Sequence, residues 1–304
     1  MEIFSEMVSL QLMLFALIVV GILIRRFGLL TDSGCKTLST LLINVILPCN
    51  IIHAFMSGTA VDTKFIQNCI WMIVFSAVIE LLAMISSRFL FARFPKERKS
   101  VLSYGMICSN SSFVGLPIAE VLFGDIGVMY TSVFQIPLRF IMWTAGLSLF
   151  TTISRRDAFK KLIRHPCIIA VLLGILLMIC PVQFPGFLDD TITALSRCTT
   201  PISMLVIGSI LAFAPIKSLF SPAVLYYTGL RLLAFPLLVY LLLIPFHMDQ
   251  LLVDICVLMT AMPAGSTTSI LPNQYGGDAV FASELIFTST LLSIVTIPLM
   301  SLLF

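Results

Sequence analysis

Gly21-Ile22-Leu23 returns 153 positions later as Gly174-Ile175-Leu176. In the same register Pro48 returns as Pro201, Lys64 as Lys217, and Gly124-Asp125 as Gly277-Asp278. Leu and Ile identities arise easily by chance in an apolar chain. Coincident Gly, Pro, Lys and Asp in one register do not. The spacing predicts two copies of one unit, residues 1–153 and 154–304. Paired units of this kind are a common plan among secondary transporters.

Composition sets the class. Hydrophobic residues make up 59% of the 304 and charged residues 11%, against about 25% charge in a soluble domain. Mean hydropathy is +1.08. An all-α polytopic membrane protein follows, with the bilayer as partner and no nucleic acid. Residues 1–6 carry Glu2 and Glu6 and no basic residue, so the basic start of a signal peptide is missing. The apolar run 7–24 is followed by Arg25 and Arg26 and reads as a retained first span.

A span needs about 20 residues. Ten candidates emerge, roughly 7–27, 35–57, 66–90, 100–123, 126–152, 166–183, 189–213, 221–244, 250–272 and 279–303. Cytoplasmic loops attract Lys and Arg. Loops after the odd spans hold Arg25, Arg26, Lys36, Arg88, Arg93, Lys96, Arg98, Lys99, Arg155, Arg156, Lys160, Lys161, Arg164 and Lys217. The other face holds Lys64 with Glu2, Glu6, Asp62, Asp125, Asp189, Asp190 and Asp249. The odd loops are therefore expected in the cytoplasm of a plasma-membrane protein, with both termini outside. Five spans per copy make the second copy enter upside down, the inverted-repeat condition. The stretch Ser154–His165 is open to two readings: an amphipathic helix lying on anionic headgroups, or simply the linker between repeats.

The fourth and ninth spans are the most interrupted. One contains Ser109-Asn110-Ser111-Ser112-Phe113-Val114-Gly115-Leu116-Pro117, the other Met262-Pro263-Ala264-Gly265-Ser266-Thr267-Thr268-Ser269. Asn110 pairs with Pro263, and Ser112 with Gly265, in the 153-residue register. Proline removes a backbone donor. Freed backbone groups survive in lipid only where they are buried in protein or line a cavity. Half-helix ends then offer N–H groups to anions and carbonyls to cations. Small residues also let helices pack closely, but that alone does not require Pro beside Gly at matching places. Pro48 and Pro201 are expected to interrupt spans 2 and 7, near the polar Asn44 and Asn50.

Five charged residues fall at membrane depth: Glu80, Glu120, Arg139, Arg231 and Glu284. Such residues are functional candidates by default. Each Arg either neutralises an anionic substrate or pairs with a buried Glu, and Glu120 lies one turn from the end of its span. Glu284 and His53 are the candidates for carrying a coupling proton, and His53 equally suits a hydrogen bond to a neighbouring carbonyl. The eight cysteines form no C-x-x-C pair, so neither a disulfide nor a metal site is expected. No Walker A pattern is present. There is no G-x-S-x-G around Ser266, and Gly276-Gly277-Asp278 lacks the spaced glycine of an intramembrane aspartyl protease. An enzyme is not expected. An ion channel is the nearer rival, but channels assemble around an axis with a repeated filter, whereas this chain carries its own internal symmetry.

The form N-x-x-x-x-G-[LI]-P at Asn110–Pro117 resembles the fourth span of the auxin efflux carrier (AEC) family, which includes plant PIN carriers and bacterial AEC permeases. The ending M-P-A-G…P-N-Q-Y-G-G-D…F-A-S-E-L-I-F-T-S-T-L-L-S-I-V-T-I-P-L, from Met262 to Leu299, is similar to that family's last two spans. The resemblance covers essentially the whole chain. Only about a dozen residues join spans 5 and 6, which matches the short bacterial branch. The resemblance implies a fold like that of PIN carriers and bile-acid symporters. Scaffold and transport bundles are formed from both repeats, broken spans 4 and 9 cross near mid-membrane, and an organic anion's carboxylate is held there. Carried over by residue, Asn110, Gly115 and Pro117 fall on the span-4 pattern, and Pro263 and Gly265 on the span-9 break. Ser111, Ser112, Ser266, Thr267 and Thr268 are added as hydroxyls beside the breaks. The function implied is efflux of small carboxylates by alternating access. The alternative is a symporter coupled to H+ or Na+, with no other cofactor. A homodimer through the scaffold is implied by resemblance.

Overall fold

A proline crowds the carbonyl four residues before it and cannot donate to it, and three helix irregularities fall at such positions. Pro48 acts on Asn44, and Leu42–Ile46 is wound as π-helix. Pro236 acts on Leu232 inside the π-turn Leu230–Ala234. Pro201 lies four residues after Arg197, where one helix stops before the next starts at Thr199.

The computed structural model describes residues 2–56, 63–151, 155–180, 184–212, 221–246 and 248–303. Asp62, Ser154 and Lys217 fall outside them. We number the helical stretches α1 Glu2–Arg26, α2 Asp32–Met56 and α3 Thr63–Leu90, α4 Lys96–Ile107 and α5 Ser111–Leu149. Then follow α6 Arg155–Ile163, α7 Pro166–Ile179, α8 Gly186–Leu211 and α9 Pro222–Phe246. The last are α10 Gln250–Thr260, α11 Thr267–Tyr275 and α12 Ala279–Leu303. The described residues contain no strand beyond one isolated antiparallel bridge, Ser109 to Ala264. The stretch read as a linker or an amphipathic helix is the helix α6, which buries Leu162 and exposes Phe159 and Lys160.

Among the described residues, six stretches, α2, α3, α5, α8, α9 and α12, are long and apolar enough to cross a membrane. The ten expected spans are therefore not ten uninterrupted helices, for three physical reasons. Spans 4 and 9 are split by extended segments after Ile107 and Thr260. The helix α7 has 14 residues and is about 21 Å long, short of the hydrocarbon thickness. The expected boundary between spans 4 and 5 lies inside α5, at Gly124, which has φ 63° and ψ −153°. A Cβ on Gly127 would stand 2.5 Å from the Ala119 carbonyl oxygen, whereas eight residues of straight helix cover about 12 Å. The chain doubles back there.

The contacts divide the chain into two units. One comprises Met1–Cys69, Ser112–Val133 and Ile163–Phe213; the other comprises Ile70–Ser111, Phe134–Leu162 and Ala214–Phe304. In the first, α1 packs on α8 so closely that a Cβ on Gly21 would stand 2.5 Å from the Leu205 carbonyl oxygen and 3.0 Å from Gly208 Cα. In α7, Gly174 lies against the ring of Phe55 in α2, 2.8 Å from where its Cβ would be. Arg25 pairs with Asp32, and the Asn50 amide donates to Ser196 Oγ at 3.0 Å. In the second unit, α3 turns Ile73, Val74, Val78, Leu81, Ile85 and Phe89 outward and buries Ser76, Glu80 and Ser87. Apolar outside and polar inside is the pattern of a protein solvated by lipid. Arg98 Nε meets Asp278 Oδ2 at 3.0 Å, which puts the loops after the third and ninth expected spans on one face, as the basic-residue pattern requires.

The glycine contacts make a prediction. Gly208→Leu drives a side chain into the Ile18 carbonyl and will destabilise the purified protein by about 1–3 kcal/mol, lowering its thermal midpoint. Gly229→Ala, where a Cβ meets nothing within 4 Å, will leave the midpoint unchanged or raise it. Equal midpoints for the two variants would show that the α1–α8 approach is not tight.

Candidate anion site at two broken helices

The second unit holds the broken helices. Helix α4 ends at Cys108, whose backbone is extended with φ −104° and ψ 90°. Helix α10 ends at Ala261. The segments that follow run antiparallel: the Asn110 N–H donates to the Pro263 carbonyl at 2.8 Å, and the Gly265 N–H to the Cys108 carbonyl at 2.9 Å. Proline can sit here because its carbonyl is the group used. Glycine is needed at 265, since a Cβ would stand 3.1 Å from the Cys108 oxygen and 3.2 Å from the Ser109 oxygen. The Ala264 N–H donates to Ser289 Oγ of α12 at 3.2 Å.

Breaking a helix leaves its last carbonyls without partners. Buried Arg231 supplies them: Nε donates to the Met262 carbonyl at 3.0 Å and Nη1 to the Met106 carbonyl at 2.8 Å. One guanidinium thus serves carbonyls from both broken helices, where their dipoles are negative. Glu80, 4% exposed, lies within electrostatic range of Arg231. Glu80 Oε2 has no hydrogen-bond partner among the described residues.

The other ends of the breaks are N-termini. Helix α11 starts at Thr267, and its N-cap Ser266 makes no side-chain cap. Ser109 Oγ, Ser111 Oγ and Thr268 Oγ1 are buried with no hydrogen-bond partner among the described residues. The Thr267 side chain meets the Tyr104 hydroxyl. The Ser111 carbonyl accepts from Gln135 Nε2 at 3.4 Å, and Gln135 Oε1 accepts from Arg139 Nη2 at 2.7 Å. Arg139 is thereby connected to the break through Gln135. The site carries a helix N-terminus with no side-chain cap, donor hydroxyls and a guanidinium already engaged on carbonyls, a set suited to holding a small anion.

Of the sequence candidates, this unit brings together Asn110, Ser111, Pro263, Gly265, Ser266, Thr267, Thr268, Glu80, Arg139 and Arg231. Asn110 contributes its backbone N–H to the bridge. Glu284 is buried in α12 of the same unit. Ser112, Gly115 and Pro117 continue the chain into the first unit. There Ser112–Gly115 completes a π-turn begun at Ser111, and Pro117 sits in the first turn of the helix after it. Glu120 and His53 also belong to the first unit. Glu120 is half-buried near the Asn50 amide, and His53 Nδ1 lies 3.3 Å from Thr193 Oγ1. His53 thus meets a hydroxyl rather than the carbonyl considered from sequence.

Sequence reading missed Ser109, Ser289, Gln135 and Asp254. Gln135 was within reach, four residues before Arg139 on one helix face. Asp254, buried in α10, accepts from Gln250 Nε2 at 2.7 Å and looked like a residue at the end of its span. Nothing local marks Ser289 as the partner of Ala264.

The Membrane transport protein family matches residues 7–159 and 153–301 of the chain. A transporter of Methanothermobacter thermautotrophicus named as uncharacterised is 26% identical over 292 residues, 94% of each chain. A similarly named transporter of Methanocaldococcus jannaschii is 21% identical over 301 residues, 95% of this chain and 96% of that one. A protein of Rhizobium meliloti named as a candidate malonate transporter is 30% identical over 147 residues, 48% of this chain and 44% of its own length. The chain belongs to the Membrane transport protein family, that of the auxin efflux carriers, and is an integral membrane protein.

Proposed function

We propose that the chain is a secondary transporter of small carboxylates working by alternating access, with the carboxylate held where the two broken helices meet. The three unpartnered hydroxyls of Ser109, Ser111 and Thr268 carry this reading. A buried polar group left unpaired costs about 1–3 kcal/mol, and three beside one bridge are matched by one multivalent acceptor. An ionised carboxylate has two oxygens with about four acceptor positions. Helix N-termini favour such an anion, and here the opposing C-terminal charge is already neutralised by Arg231. The relative named for malonate supports a small dicarboxylate as the first substrate to try.

Inverted repeats supply the framework. Gly174 is Gly21 shifted by 153 positions, and Gly208 is Phe55 shifted by 153. The contacts Gly21–Gly208 and Gly174–Phe55 are therefore one contact made twice. The same shift relates Asn110 to Pro263, whose hydrogen bond is one of the two that join the antiparallel segments. Within each unit the repeats thus meet at matched positions, which favours ten spans in two inverted sets of five. An inside-negative potential drives anion export by about 2.3 kcal/mol per charge per 100 mV, so efflux needs no coupling ion. Import needs H+ or Na+, and the unpartnered oxygen of Glu80 marks it as a coupling group for that alternative.

In proteoliposomes with an imposed potential, saturable flux of radiolabelled malonate is expected. Gly265→Leu, which drives a side chain into the Cys108 and Ser109 carbonyls, will reduce it at least tenfold; wild-type flux in the folded variant would remove the site assignment. Thr268→Val will leave the ligand-free protein as stable or more so, while weakening malonate binding about tenfold, or 1.4 kcal/mol. A less stable ligand-free protein with unchanged affinity would make that hydroxyl structural. Arg231→Met strands two buried carbonyls at about 1–3 kcal/mol each, so its thermal midpoint will fall, with Lys a partial rescue. Unchanged stability with lost affinity would instead place Arg231 on the substrate.

A further inference from the structure

The second unit contains a cavity of about 290 Å³ that the carboxylate site does not use. It lies between the end of α3, the first turns of α4 and the last turn of α5. Three cations line it, Arg88, Lys96 and Lys99, and no acidic side chain does. None of the three forms an ion pair among the described residues. The neighbouring Arg98 is engaged elsewhere, on Asp278 at 3.0 Å and over the Phe281 ring at 4.9 Å. Glu97 is the nearest acid in sequence and does not line the cavity.

Hydroxyls and amides add neutral donors. Ser103 is buried at the wall and makes no hydrogen bond among the described residues. Helix α4 begins here without a side-chain cap, because Pro95 occupies the N-cap, so first-turn N–H groups and the positive dipole end add to the three cations. The floor is apolar: Ile107, with Met84, Ala145 and Leu149, belongs to the cluster around Tyr104. Neither Ser109, Ser111 nor Thr268 lines the cavity.

We propose that this cavity binds a phosphoryl group. Three unpaired cations and a free hydroxyl suit a compact, doubly charged oxyanion with three or more acceptor oxygens. The group has two possible sources, an anionic lipid headgroup or a soluble phosphate. Exposed Ile85 and Phe89 beside Arg88 provide a surface along which acyl chains could lie, and basic pockets between helices on the cytoplasmic side are known to take such headgroups.

The test uses the full chain in phosphatidylcholine nanodiscs, with thermal midpoint as readout. Inorganic phosphate is titrated in one arm and phosphatidic acid is incorporated in the other. The midpoint will rise in at least one arm, and R88Q/K96Q/K99Q will shift half-saturation at least tenfold. K36Q/R93Q, which removes two cations that do not line the cavity, will respond as wild type. A response to phosphatidic acid alone assigns a lipid headgroup; a response to both assigns the phosphate itself. Ser103→Leu fills the cavity without changing charge, and will abolish the response even if the triple variant does not fold. No response in either arm, or an undiminished response in Ser103→Leu, overturns the proposal.

Discussion

Two helices can be broken inside a bilayer only if something replaces the hydrogen bonds they give up, and here the Arg231 guanidinium does so for both. Its two donors reach Met106 and Met262, one carbonyl from each break. Buried in protein, each carbonyl would otherwise be stranded at about 1–3 kcal/mol. A planar fork with fixed donor directions suits this task, and a lysine ammonium would not reproduce it. The antiparallel pairing at Asn110–Pro263 and Gly265–Cys108 then joins the two segments.

That brace determines what remains available for function. Two carbonyls at the breaks are neutralised, while three hydroxyls are left without partners among the described residues. The proposed recognition by neutral donors and a helix dipole, rather than by a dedicated cation, has a consequence for turnover. A full charge pair buried in low dielectric binds tightly and releases slowly, whereas dipoles hold an anion more lightly. A carrier must release its cargo on the far side, and this arrangement favours release.

Much of this was legible in the chain. The 153-residue register pointed to the matched glycines, and the structure places Gly21 and Gly174 in equivalent close contacts. Pro263 and Gly265 marked the second break because their missing N–H and missing Cβ have direct geometric meaning. Pro48 and Pro201 marked helix irregularities for the same reason. The role of Arg231 was not legible, since its partners are backbone oxygens 31 and 125 residues away that any side chain could carry. Ser289 and Asp254 were hidden likewise: a hydroxyl on a small-residue helix and an acid near a helix start look ordinary until their neighbours are known. Sequence also placed a boundary between residues 123 and 126, where the backbone reverses at Gly124, because a Gly-Asp pair interrupts the apolar run there.

The most direct measurement is a high-resolution structure in lipid nanodiscs with a saturating dicarboxylate such as malonate. Ligand density is expected within hydrogen-bond distance of Ser109 Oγ, Ser111 Oγ and Thr268 Oγ1, with Arg231 still on the Met106 and Met262 carbonyls. Density against Arg231 itself, with those carbonyls released, would contradict it.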